Sequence, residues 1–133
     1  MIPFGKKKQP PIRSLVGEGM LIQGGVRFTD GLRVDGEVMG DVLAQGDGRS
    51  ILVISERARV HGKVKASHVI INGEVRGAVF SDEMLELQPK ARVTGDVRYE
   101  VMEMHPGACV EGELRPLKSS DKPALKLAAS NDA

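Results

Sequence analysis

The sequence predicts an all-β fold: a three-sided parallel β-helix (β-solenoid) of about six coils over residues 14–116, with disordered tails at 1–13 and 117–133. Three observations predict it. The pattern [IV]-x-Gly-x-[VL] recurs as IQGGV (22–26), VMGDV (38–42), VHGKV (60–64), VRGAV (75–79), VTGDV (93–97) and VEGEL (110–114). A longer register around three copies alternates with period two, the strand period and not the helical one. In it Leu52, Ile54, Ala58, Val60, Gly62 and Val64 match Leu85, Leu87, Ala91, Val93, Gly95 and Val97, then Met102, Met104, Ala108, Val110, Gly112 and Leu114. Finally, one Tyr, three Phe and no Trp leave packing to Val, Ile, Leu, Met and Ala, which suit a narrow, regular interior.

Residues 1–13 hold three consecutive Lys with Pro3, Pro10 and Pro11 and show no strand period, the signature of a mobile tail. The repeat glycines at 24, 40, 62, 77, 95 and 112 then step by 16, 22, 15, 18 and 17 residues. Such a unit is too short for a helix pair or propeller blade, which need roughly 34 residues or more, but suits one solenoid coil. Divided among three faces it gives short strands, each coil bonded to the next at about 4.8 Å, so six coils make a rod roughly 29 Å long. The one long step contains QGDGRS (45–50), a turn-rich loop inserted into a repeat. A second glycine motif, VDGEV (34–38) and INGEV (71–75), falls one or two faces away from the first.

In V-x-Gly-x-V the three named residues share one side. If that side is inward, the aliphatics stack in ladders while Gly relieves crowding or permits a corner; a hairpin bulge is the alternative. Asp35, Glu37, Lys63, Glu74, Arg76, Thr94 and Asp96 then face solvent. The closing LKSSDKPALKLAASNDA (117–133) is polar and Ala-rich, with room for a short helix around Leu125 to Ala129 that is too brief to stand alone.

With 19 Lys plus Arg against 18 Asp plus Glu, the chain has no net basic field to drive nucleic-acid binding. Its single cysteine, Cys109, forms no internal disulfide and fits a reducing compartment. MIPFGKKKQPP lacks the apolar run of a signal peptide, and no window approaches the ~20 apolar residues of a membrane span, so a cytoplasmic location is expected. No GxxxxGK[ST] loop occurs, and GEGMLIQGG (17–25) lies in strand-like repeats without a following helix, so no phosphate cradle is expected. His61, His68 and His105 have no carboxylate or Cys at metal-ligand spacing except through the fold, and His61 and His105 fall on solvent-facing positions. No catalytic, metal or cofactor site is predicted.

The chain resembles the bactofilins, bacterial polymer-forming cytoskeletal proteins, through SLVGEGMLIQGG, LRVDGEVMGDV, INGEVRGAV, LELQPKARVTGDV and GACVEGEL, over about residues 14–116. The resemblance implies a right-handed, three-sided β-helix with disordered termini. It also implies nucleotide- and metal-free polymerisation by end-to-end contact into non-polar filaments, at the inner face of the cytoplasmic membrane. Such filaments scaffold cell shape, cell-wall-modifying enzymes or other morphogenetic proteins. The family often places a bulky aromatic in the last coil; HPGACVEGEL (105–114) has none.

Uncapped solenoid ends expose strand edges and apolar core, so they invite stacking that does not close at a dimer. The expected polymerisation interface comprises Leu21, Ile22, Val26 and Phe28 at one end and Tyr99, Val101, Met102, Met104, Val110 and Leu114 at the other. Tails folded over the ends would abolish it. Ile2, Phe4, Lys6, Lys7 and Lys8 form an apolar-plus-basic segment like the membrane-targeting one of many bactofilins. Each Lys near an anionic leaflet adds about 1 kcal/mol, weak singly but cumulative along a filament. Two alternatives stand beside the scaffold: a left-handed β-helix acyltransferase, whose stricter hexapeptide repeat the uneven steps do not obey, and a β-helical adaptor that does not polymerise.

Overall fold

In the computed structural model, which describes residues 10–117 and the backbone of 125–127, the regular elements are strands and no helix occurs among the described residues. They wind as a parallel solenoid of six coils. Strands β1 (Ile12–Val16), β2 (Leu21–Gln23) and β3 (Val26–Phe28) form the first coil. The second is β4 (Gly31–Val34), β5 (Glu37–Met39) and β6 (Val42–Ala44). The third is β7 (Ile51–Ile54), β8 (Arg59–His61) and the start of β9 (Val64–Ile71). From there strands bend round a corner without breaking: β9, β10 (Glu74–Arg76), β11 (Val79–Leu87), β12 (Arg92–Thr94), β13 (Val97–Met104) and β14 (Cys109–Pro116) complete coils four to six.

Three flat faces result. The first stacks β1, β4, β7 and the second halves of β9, β11 and β13; the second stacks β2, β5, β8, β10, β12 and the start of β14. The third stacks β3, β6, the first halves of β9, β11 and β13, and the end of β14. Equivalent repeat residues stay in register, as in Val38, Val60, Val75, Val93 and Val110 up the second face. Because side chains alternate across a strand, every second residue is driven inward, two aliphatics per coil on the first face (Leu52 and Ile54) and one on the second (Val60). Val34, Ile54, Ile71 and Leu87 and their counterparts on the other faces are fully buried. The recurring alanines of the long register, Ala58, Ala91 and Ala108, close turns onto Ser55, Gln88 and His105 and are also buried.

The repeat glycines answer to inward crowding and to a corner at once. Each turns the chain from the second face to the third, directly above the glycine of the coil before. A Cβ on Gly62, Gly77, Gly95 or Gly112 would overlap the carbonyl of the glycine one coil below. Gly77, Gly95 and Gly112 also have φ near +150°, which side-chain-bearing residues avoid.

VDGEV and INGEV occupy equivalent corners between the first and second faces, two coils apart. In coils two and four this corner is the tight Asp35-Gly36 or Asn72-Gly73; in coils one, three, five and six it is four residues long and protrudes. The protruding corners bond across the tight ones: Arg57 reaches Glu18 at 2.5 Å, and Lys90 reaches Glu56 at 2.8 Å. The 45–50 insertion lies where the second coil passes to the third, as the repeat spacing predicts, and its Arg49 forms a forked pair with Glu83. Two tail boundaries differ from expectation: β1 starts at Ile12, inside the expected 1–13 tail, and Leu125–Leu127 is strand β15, not a helix.

Candidate assembly ends

At the first coil, β1, β2 and β3 each pair on one side only among the described residues, so a full turn of backbone donors and acceptors is left at the edge. Above the buried Val16 and Phe28, the inward Ile22 and Val26 are half-buried. Leu21 points outward and is 54% exposed, with Met20 beside it at 49%. The fold thus gathers Leu21, Ile22, Val26 and Phe28 at one end.

The last coil is less open. Met102 and Met104 on the first face are half-buried against the core, as is Tyr99 one coil below on the third face. Val101 stands outward and 51% exposed, on the side of the rod more than its end. Val110 and Leu114 are at 0% and 2%, buried within the subunit instead of offered at its end. Over the third face β15 pairs antiparallel with β14, Leu125 opposite Leu114 and Leu127 opposite Gly112. Part of this edge is therefore already satisfied from within the chain. No periodicity in 117–133 signals β15, so the repeat pattern does not reveal it.

The membrane-segment residues Ile2, Phe4, Lys6, Lys7 and Lys8 lie outside the described residues. No helix among the described residues is long and apolar enough to cross a membrane.

The histidines are less simply solvent-facing than expected. His61 is half-buried, with Nε2 unexposed and unpartnered among the described residues. Both ring nitrogens of His68 are buried without a hydrogen-bond partner among the described residues, and desolvation pushes its pKa down. His105 is 35% exposed at its side chain, with Nε2 3.2 Å from Glu86. The register sets Glu103 beside Glu86, so Glu86, Glu103 and His105 bring one donor atom each to within 4.8 Å of one another. The 17-residue repeat step between Glu86 and Glu103 is the signal that could have found this cluster. Cys109 is half-buried and unpaired by disulfide.

The rod's sides differ in chemistry. The second face carries alternating charge, Glu37, Arg59, Glu74 and Arg92 in successive coils, with Glu74 bonded to Arg76 at 2.6 Å. The third presents Arg27, Lys65, Arg98 and Arg115, with Lys65 and Arg98 over the Phe80 ring at 5.3 and 5.8 Å. The first face is apolar at mid-height, with Val53 and Ile70 in adjacent coils.

Among the described residues the rod therefore has one open end and one partly covered end. The profile of the bactofilin family, described as polymer-forming cytoskeletal, matches residues 14–115. Bactofilin BacO of Myxococcus xanthus (strain DK1622) is 22% identical over 112 residues, covering 84% of this chain and 86% of its own. A Thermus thermophilus bactofilin, reconstructed by cryo-EM as double helical filaments, superposes with a TM-score of 0.70 at 28% identity, over 78% of this chain and 99% of its own. The chain belongs to the bactofilin family of polymer-forming cytoskeletal proteins.

Proposed function

We propose that the protein is a non-enzymatic cytoskeletal scaffold. It polymerises end to end through its solenoid termini without nucleotide or metal, lies at the inner face of the cytoplasmic membrane, and positions cell-wall-modifying enzymes or other morphogenetic proteins. The observation that carries this is the first coil: three strand edges and a half-exposed Ile22 and Val26 with no covering element among the described residues. Each aliphatic side chain fully buried in a stack contributes roughly 1.5–3 kcal/mol, and every edge hydrogen bond adds about 1 kcal/mol.

The asymmetry between the ends orders the assembly. Two first coils meeting form an isologous contact with no element among the described residues to displace. Growth beyond that pair requires the last coil to exchange its internal β15 pairing for a neighbouring subunit's edge. Filament formation by the Thermus thermophilus relative supports this reading. Electron microscopy of purified protein in nucleotide-free, chelator-treated buffer tests it: filaments are expected, and dispersed monomers across salt and pH would refute it. For the membrane role, deletion of residues 2–8 is expected to abolish co-sedimentation with anionic liposomes while leaving polymers intact. Equal liposome pelleting of both forms would rule out membrane binding through the tail.

A further inference from the structure

The outward side of the first face has a charge and size pattern that is complementary to itself when reversed. Along the rod its central row reads Leu15, Arg33, Val53, Ile70, Glu86, Glu103, one residue per coil. Basic charge lies toward the start, acidic charge toward the end, and two half-buried aliphatics occupy the middle. We propose that this face is the lateral contact between two protofilaments, with facing subunits antiparallel, so that Arg33 meets Glu86 of a second copy and Val53 meets Ile70.

A two-fold axis along the strand direction reverses the rod but keeps each row opposite itself, so coil two faces coil five and coil three faces coil four. Both Arg33–Glu86 pairs then form, and Val53 packs on Ile70 twice. In the neighbouring polar row Ser55 falls opposite Asn72, and Asp35 opposite Gln88, each an acceptor facing a donor. Leu15 falls opposite Glu103, the one unmatched pair of the row, at the ends of the rod. Parallel facing subunits would instead put Arg33 against Arg33 and Glu86 against Glu86, which like-charge repulsion disfavours. Arg33 keeps about half its side chain exposed while bonded to Asp35 at 2.9 Å, so its remaining donors are accessible.

The contact is small. Four residues by six coils span about 13 by 29 Å, or about 380 Å² a side, below what a stable isolated complex needs. Repeated along two filaments it becomes cumulative. The proposal therefore rests on end-to-end assembly and places lateral pairing after it.

Filament width and axial repeat under the electron microscope separate the two ideas. Wild-type protein is expected as paired filaments. Arg33→Glu, Glu86→Arg and Val53→Lys should each give single protofilaments of unchanged axial repeat, the double swap Arg33→Glu/Glu86→Arg should restore pairs, and Thr94→Lys on another face should remain paired. Paired filaments in all three single variants, or no restoration in the double swap, would overturn the lateral contact and leave end stacking standing. Absence of any filament in the wild type would instead strike the end-stacking reading, and this proposal with it.

Discussion

Replacing Gly77 by alanine perturbs the solenoid where its coils approach most closely. The new Cβ would overlap the carbonyl of Gly62 and sit on a residue with φ of +154°. Holding a non-glycine residue in such a region costs about 1–3 kcal/mol. The carbonyl cannot yield as a flexible side chain would, because it belongs to the adjacent coil. Separating the coils there strains the bonds from Gly62 N to Arg76 O at 2.9 Å and from Val64 N to Ala78 O at 2.8 Å, each worth about 1 kcal/mol. Reduced backbone freedom in the unfolded chain returns about 0.4–1 kcal/mol. The net is a loss of roughly 2–4.5 kcal/mol against the 5–15 kcal/mol typical of a domain, enough to lower Tm by about 6 °C or more. Gly48→Ala is the control, since nothing lies within 4 Å of its added Cβ, and a surface change of this kind stays within about 0.5 kcal/mol. Thermal unfolding monitored by circular dichroism compares them. Gly77→Ala melting within about 2 °C of Gly48→Ala would refute the glycine-ladder reasoning.

Two further predictions concern assembly and pH. Removing residues 118–133 deletes β15 and frees the Gly112–Leu114 edge, so light scattering should show a shorter polymerisation lag; an unchanged or longer lag would contradict a covering role for β15. The pKa of His68 is lowered by burial from its ordinary 6.5, so the unfolded chain binds its proton more readily than the folded one. Stability is therefore full above pH 6.5 and falls as pH drops below it toward the folded value. His68→Leu should flatten urea-denaturation midpoints across that window, and a slope identical to wild type would show that His68 does not titrate this way.

Much of this architecture was legible in the chain because a solenoid repeats its contacts at fixed sequence steps. Val60, Val93 and Val110 stack because the same spacing returns each to the same corner, so the faces, the 45–50 insertion and the equivalence of VDGEV with INGEV all emerged from counting. Features that depend on neighbours in adjacent coils were harder to read. The Glu86–Glu103–His105 cluster, the buried nitrogens of His68 and the bridge from Arg57 to Glu18 come from residues 17 to 39 positions apart whose outward side chains obey no apolar period. At the ends the repeat stops, and with it the signal. Val110 and Leu114 obey the inward pattern, but whether a terminal strand's edge is paired depends on chain beyond the repeat, and β15, which pairs with Gly112–Leu114, carries no repeat.

End-to-end assembly without nucleotide means that the solenoid continues from one subunit into the next along a filament. Fibre diffraction from oriented, nucleotide-free filaments tests this most directly. Stacked coils place strands across the filament and predict a meridional reflection at about 4.8 Å, with a subunit rise of about 29 Å for six coils. A 4.8 Å reflection on the equator, with strands running along the filament, would contradict it.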